Sequence, residues 1–332
     1  MKYHYFILSP FQYLNALEFR FTQHDDHSDH HILYILTDHP KRKKSIEKIV
    51  NQNHWSEIHY LFDAVKLKSY YYFFITLFKR KRNLTRVKKT IAKHDLAILG
   101  NINDTYCRHI FKHIDNCTVL DDGLASIFLP ASMGQTEKFK LKKKRILFNL
   151  VFNQFSFKYD SLKLFTIFDI RSDAISITKN TYEEVRKIYS NGDKTLTNQV
   201  VFMGQPLVEL KFMTLKNYES VISSIKNYYV TKGYEFCYIA HPKESTKFNN
   251  LEMVDLNEPV EVYFLRNKEI PLIFTSLFST SNFSLSQLFP QVRNELWSCD
   301  QSILNYNEKT NLIFEYAGKT KNININHVSS DL

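Results

Sequence analysis

Glycine is scarce in this chain, with seven among 332 residues. Neither G-x-G-x-x-G nor G-x-x-x-x-G-K-[ST] occurs, which argues against the glycine-lined cradles for dinucleotides and nucleoside triphosphates. The four cysteines, Cys107, Cys117, Cys237 and Cys299, form no C-x-x-C pair and no disulfide-like framework. A reduced protein is the simplest expectation. No apolar run reaches the ~18 residues that a spanning helix needs. The opening residues, 1–10, are too short and too polar a stretch for a signal peptide, so the expected location is cytoplasmic. Internal repeats and low-complexity tracts are also lacking.

What the chain does have is core-forming material and an excess of positive charge. Apolar residues make up 44% and charged residues 23%, which suits packed domains rather than disorder. The length is comfortable for two domains of ordinary size. The formal charge of +10 comes in clumps at 41–44, at 79–82 with Arg86, Lys88 and Lys89 beyond, and at 142–145. Two clumps adjoin aromatic or aliphatic runs, at 70–78 and 146–155. This pairing suits an anionic membrane face, an acidic glycan or a nucleic acid, and, taken alone, a solvated helix face better still.

Short apolar runs at 3–8, 31–36, 57–62, 96–100, 117–120 and 162–167 alternate with helical stretches at 10–21, 44–51 and 84–93. That alternation predicts an open α/β sheet. Ser9 is suited to cap the first helix and Pro10 to occupy its first position. After a short helix at 181–189, the turn-rich residues 190–193 mark a break. The pattern then restarts, with strands at 199–203, 235–240, 272–278 and 295–299 and a helix at 215–231 closed by Gly233. The expected architecture is two Rossmann-like, doubly wound domains, residues 1–192 and 193–332, facing across a cleft. In such sheets ligands sit at the carboxyl ends of the strands.

Three groups follow a predicted strand directly. Asp121-Asp122-Gly123 places two carboxylates at a strand end, with a glycine for a sharp turn; it suits a general base and also an ordinary acidic turn. His241-Pro242 follows an apolar strand, and the proline biases His241 toward an extended backbone. Eleven of the 13 histidines lie at or before His113 and one is His327, so His241 is the imidazole available to the second domain's strand ends. It could donate a proton, bind a phosphate, or simply cap. Ser279-Thr280-Ser281-Asn282 opens a helix, where hydroxyls satisfy free amides or help to hold an anion. The histidine- and aspartate-rich stretch 24–31 lacks the spacing that aims several ligands at one metal ion, and a solvated loop is the better reading.

In this order, the three groups resemble the D/E-D/E-G, HP and S/T motifs of bacterial sialyltransferases with the GT-B fold. The likeness is closest to glycosyltransferase family 52, the lipooligosaccharide sialyltransferases, with the polysialyltransferases next. It is carried by residues 9–16, 120–123, 238–243 and 278–280, and by 259–265, where Glu261 stands. The resemblance implies an inverting transfer of sialic acid from CMP-sialic acid to a terminal sugar hydroxyl, expected to be galactose, on a surface glycan such as lipooligosaccharide or capsule. Asp121 would be the base, His241 would assist the departing CMP phosphate, and Ser279 and Thr280 would hold that phosphate. Glu261 would hold the ribose. Gly204, Gln205, Pro242 and Lys243 belong to the implied donor side, and Asp122, Gly123, Ser9 and Gln12 to the acceptor side.

The chain departs from the family at one point. Some members carry the base as an aspartate in a G-x-P-D setting, where this sequence reads Gly204-Gln205-Pro206-Leu207. Either Asp121 takes the role or Glu209, two residues on, reaches in. The resemblance implies neither a cofactor nor a metal ion. It also gives the basic clump at 79–82 a use, as a peripheral contact with the inner membrane face. Two alternatives stay open: a transferase of the same fold using another nucleotide sugar, and a basic nucleic-acid-binding protein, although no nucleic-acid recognition motif is visible.

Overall fold

A computed structural model of the chain describes residues 1–23, 29–37, 40–62, 70–128, 162–173, 175–248, 251–304 and 308–328. The chain divides into two compact units, Met1–Val185 and Arg186–Leu332. The division falls just ahead of the 190–193 turn at which the sequence suggests a boundary.

The first unit is built on seven strands: β1 (Lys2–Ile7), β2 (His30–Thr37), β3 (Glu57–Phe62), β4 (Leu96–Leu99), β5 (Asn116–Leu120), β6 (Lys163–Thr166) and β7 (Ser176–Lys179). They are parallel throughout, in the order β3-β2-β1-β4-β5-β6-β7. The order reverses between β1 and β4, so the loops after these two strands diverge and leave a crevice at their carboxyl ends. Strands buried on both faces read as continuous apolar runs, as 3–8 and 31–36 do.

The helices are α1 (Pro10–Gln23), α2 (Pro40–Glu47), α3 (Tyr70–Thr90) and α4 (Thr105–Phe111). Ser9 Oγ accepts the Gln12 amide at 3.2 Å, so it caps α1 as its position suggests. Two helices differ from their sequence reading. Helix α2 starts at Pro40 and not near Lys44, because a proline suits a first turn. Helix α3 takes in both the aromatic run and the basic clump that follows it. Leu77, Leu84 and Val87 give the face it packs into the core, with Ile91 just past its end, while Phe74 and Phe78 are 54% and 70% exposed. The clump at 142–145, the run at 146–155 and most of the stretch 24–31 lie outside the described residues.

The second unit repeats the plan with β8 (Thr195–Met203), β9 (Glu235–Ile239), β10 (Met253–Val254), β11 (Glu269–Ser276), β12 (Arg293–Cys299) and β13 (Ile323–Val328). These strands are also parallel, in the order β10-β9-β8-β11-β12-β13, which puts the reversal between β8 and β11. Helix α5 (Glu183–Tyr189) spans the division between units. It is followed by α6 (Leu215–Val230), α7 (Val260–Arg266), α8 (Thr280–Leu288) and α9 (Glu308–Gly318). Helix α6 buries Tyr218, Val221, Ile222, Ile225 and Tyr229, the spacing of one helical face, in a core with Val200, Phe202 and Tyr238. Each such side chain contributes about 1.5–3 kcal/mol of transfer free energy.

Strands β7, β10 and β13 and helices α4, α7 and α9 have no counterpart in the sequence reading. No helix among the described residues is long and apolar enough to cross a membrane.

Candidate active site

In the first unit, the end of β5 meets the start of α1. Asp121 is fully buried. Its Oδ2 accepts the Ile167 amide at 2.7 Å, while Oδ1 is enclosed without a hydrogen-bond partner. Burial lifts its pKa to about 6, opposed by the nearby Thr166 hydroxyl, the Ile167 amide, the Ser126 hydroxyl and the charge of Lys179. A carboxylate titrating there is ionised at neutral pH yet basic enough to take a proton. Asp122 is half-buried, and its Oδ1 accepts from Gln12 Nε2 at 2.6 Å. Gly123, at φ 68°, turns the chain in the left-handed region that favours glycine.

Helix α1 supplies the rest of this corner from one face. Gln12 Oε1 accepts the Leu8 amide at 2.7 Å. Asn15 Nδ2 donates to the Asp121 carbonyl at 3.2 Å, and its Oδ1 accepts from Asn180 Nδ2 at 3.0 Å. Gly100, just after β4, makes room for Gln12: a Cβ at Gly100 would lie 2.3 Å from Gln12 Oε1. The motif at 9–16 and the Asp-Asp-Gly motif are therefore parts of one constellation.

In the second unit, the ends of β8, β9 and β11 converge with the start of α7 on a cavity of 160 Å³. Gly204, His241, Pro242, Glu261, Ser279 and Ser281 are among its lining residues, with Glu258. Neither lysine nor arginine is among them. Positive potential for a bound phosphate would therefore come from backbone amides and dipole at the start of α8. Ser279 is its N-cap, with Oγ accepting the Ser281 amide at 3.3 Å.

His241 is neutral at physiological pH. Burial lowers its pKa to about 4, Lys243 adds to the effect, and Glu209 opposes it. The Lys243 amide donates to Nδ1 at 3.0 Å, which leaves the ring proton on Nε2. The imidazole thus offers an N–H to whatever enters. Glu261 is buried and accepts from Ser284 Oγ at 2.6 Å. Burial raises its pKa, against the Ser284 hydroxyl, its own backbone amide and the Ser281 hydroxyl. Arg266 pairs with Glu258 at 2.7 Å.

Four expected site residues stand apart from the cavity lining. Gln205 is turned to bracing: its Oε1 accepts the Phe278 amide at 3.0 Å, which ties the end of β8 to the residue before Ser279. Thr280 and Lys243 do not line the cavity, and Ser281 does. Glu209 Oε1 accepts from the amides and hydroxyls of both Ser245 and Thr246, at 2.7–3.0 Å. Burial raises its pKa, but hydrogen bonds from the Ser245 amide, its own amide and the Thr246 amide and hydroxyl outweigh that and hold it at about 2. A carboxylate so held is a clamp on the loop after β9 and a poor proton acceptor at neutral pH.

The sequence reading missed one group. Glu244 Oε1 accepts from Tyr238 Oη at 2.6 Å, and its Oε2 accepts the His241 amide at 3.0 Å. Its only sequence signal is a carboxylate three residues after His241. Among the described residues, no group of three or more histidine, cysteine or acidic side chains is arranged to hold a metal ion. Of the stretch 24–31, Asp29 pairs with the amino terminus and His30 with Glu57.

Two parallel-sheet α/β units of this kind define the GT-B fold, and solved structures of that fold resemble the chain. UDP-GlcNAc 2-epimerase from Neisseria meningitidis, bound to UDP-GlcNAc, matches with a TM-score of 0.51 at 12% identity, covering 89% of this chain and 82% of that one. UGT89C1 from Arabidopsis thaliana, complexed with UDP-L-rhamnose, matches with a TM-score of 0.51 at 7% identity, covering 99% and 86%. At such identities the likeness shows the fold alone, and the fold serves more than one reaction. No curated protein sequence matches significantly. The sequence model of glycosyltransferase family 52 matches residues 27–292. The chain belongs to glycosyltransferase family 52, and it is a glycosyltransferase.

Proposed function

We propose that this glycosyltransferase moves sialic acid from CMP-sialic acid to a terminal sugar hydroxyl, expected to be galactose, of a bacterial surface glycan, with inversion. The observation that carries the reading is the meeting of His241, Glu261 and the N-terminus of α8 at one cavity. That set suits a nucleoside monophosphate ester: a carboxylate for ribose hydroxyls, and an N–H donor with helix amides for the phosphate.

In this reading the acceptor O–H gives its proton to Asp121 as its oxygen bonds to the anomeric carbon. The bond from that carbon to the phosphate oxygen breaks, its electron pair leaving with CMP. The His241 Nε2–H donates to the leaving phosphate, whose growing charge raises the imidazole's basicity. The sugar passes through an oxocarbenium-like state, as in glycoside hydrolysis. Metal independence belongs to the proposal, because His241 and the α8 amides supply the stabilisation a metal would otherwise lend.

The test is release of CMP from CMP-sialic acid by the purified protein, with a galactose-ended acceptor and EDTA, beside His241→Ala. Acceptor-stimulated release that survives EDTA and collapses in the variant supports the reading. Absence of release, with tight binding of a UDP-sugar instead, would move the enzyme to another donor.

A cytoplasmic location at the inner membrane face is part of the same proposal. Exposed Phe74 and Phe78 lie one turn apart on α3, followed by exposed Lys81, Arg82, Arg86 and Lys89. Aromatic and cationic side chains on one helix suit a surface of anionic lipid. Sedimentation with anionic vesicles at low salt tests it, and failure to pellet would overturn it.

A further inference from the structure

The loop after β9 carries His241 and is fastened at three points. Glu209 holds its far end through Ser245 and Thr246. The Lys243 amide holds the imidazole through Nδ1. Glu244 holds the His241 backbone from beneath, and it is itself fixed by Tyr238. Tyr238 in turn lies 3.0 Å from the Tyr218 hydroxyl, which accepts the Gln205 amide at 3.1 Å. This hydrogen-bonded chain runs from the end of β8, through α6 and β9, to the backbone of His241.

Glu244 does not line the cavity. Its room comes from Gly204, where a Cβ would lie 2.4 Å from Tyr238 Oη and 2.5 Å from Glu244 Oε2. A half-buried carboxyl under a loop, with both oxygens engaged, is costly to keep unless it does something that an apolar residue cannot. Here that is to accept the backbone N–H of His241, whose imidazole is among the cavity's lining groups.

We propose that Glu244 is a positioning residue for transfer: it fixes the His241 backbone so that Nε2–H is aimed at the leaving phosphate. The proposal rests on the reading of His241 given above and adds to it a residue outside the cavity. The carboxyl need not be charged. Burial raises the Glu244 pKa to about 7, with the Tyr238 hydroxyl and the His241 amide opposing and the Glu209 charge adding to the rise. The groups facing it are Tyr238 from β9, Tyr218 from α6, the His241 backbone, and Glu209 from the segment after β8. A neutral carboxyl keeps its carbonyl oxygen for the His241 amide and turns its O–H to Tyr238, as a glutamine amide would turn its NH₂.

The experiment compares wild type, Glu244→Gln, Glu244→Ala and Tyr238→Phe in CMP release and in ¹⁵N NMR of the His241 ring. Glu244→Gln should keep kcat within a few-fold and keep the Nε2–H tautomer. Glu244→Ala should lower kcat about 100-fold, with the donor KM little changed and the ring signals averaged between tautomers. Tyr238→Phe should fall between them. Wild-type kcat in Glu244→Ala, or a Glu244→Gln loss as deep as that of Glu244→Ala, would overturn the proposal. If Glu244→Ala fails to fold, Glu244→Gln and Tyr238→Phe still decide it. If wild type releases no CMP, the sialyl-transfer reading fails, and the ring tautomer across the variants still tests Glu244.

Discussion

Gln12 Nε2 donates to Asp122 Oδ1 at 2.6 Å, joining residues 110 positions apart in the chain. The same side chain accepts the Leu8 amide through Oε1. It is 1% exposed, so it braces the turn after β1 and the carboxylate after β5 at once. Gln205 does a similar job in the second unit, holding the Phe278 amide. Each unit thus uses a glutamine just after its first strand to tie together two strand-end loops.

Replacing Gln12 with alanine removes the acceptor of the half-buried Leu8 amide and one donor to Asp122. Stability should drop by about 1–3 kcal/mol, read as a lower midpoint in urea at unchanged slope. Transfer should drop further than stability explains if Asp122 helps place the acceptor. A Gln12→Ala protein as stable as wild type would mean that water takes over both bonds.

Asp121→Asn should separate stability from activity. The folded pKa of about 6 lies above the unfolded value of ~3.9, so the native state binds more protons between the two. Stability from this group is present below pH ~4 and lost as pH rises through 6. At pH 7.5 the asparagine variant should therefore be more stable than wild type, by about 1–3 kcal/mol, while CMP release falls about 10²- to 10⁴-fold. Asp122→Asn, measured alongside, should keep more activity. The reverse ranking would move the base to Asp122.

Gly204→Ala should disturb the donor side, where Gly204 lines the cavity. The added methyl meets Tyr238 Oη and Glu244 Oε2 well inside contact distance. Overpacking of this kind costs about 1–3 kcal/mol, and displacement of Glu244 should lower kcat for CMP release with the donor KM little changed. An alanine variant with wild-type melting and wild-type kcat would show that the loop after β9 yields freely.

His241 should affect stability in the opposite direction to Asp121. Its folded pKa of about 4 lies below the unfolded ~6.5, so the unfolded chain binds more protons in that interval. Its contribution is present above pH ~6.5 and lost as pH falls toward 4. Between pH 4 and 6 the two groups partly cancel. The difference in stability between Asp121→Asn and wild type should therefore grow as pH rises through that window, and shrink for His241→Gln. NMR titration of the His241 ring gives the pKa directly, and addition of CMP should raise it.

The local features were legible because each rests on neighbours in sequence. An apolar run ended by Asp121-Asp122-Gly123 or by His241-Pro242 announces a strand and a strand end together, whatever the rest of the chain does. Ser9 and Ser279 announce helix starts for the same local reason. Helix α3 was read too short, since aromatic residues at 70–78 suit a strand as well as a helix until packing chooses between them. Strand β13 buries Ile323 and Val328 at its two ends and leaves Ile325 between them exposed, so no apolar face signals it.

Glu209 and Glu244 show the limit most sharply. Both are carboxylates near the same loop. The amides of Ser245 and Thr246 hold one at about pKa 2, and burial beside Tyr238 lifts the other to about 7. Neither outcome is written near the residue concerned, because a pKa depends on the dielectric and donors that folding brings from elsewhere.

By itself, then, the sequence determined the α/β alternation, the strand-end motifs and their order, and with them the family, since these follow from residue type and near-neighbour spacing. The tertiary structure alone decided which carboxylate is enclosed, which is clamped, and which glutamines brace the strand-end loops. Those assignments depend on contacts between residues distant in the chain.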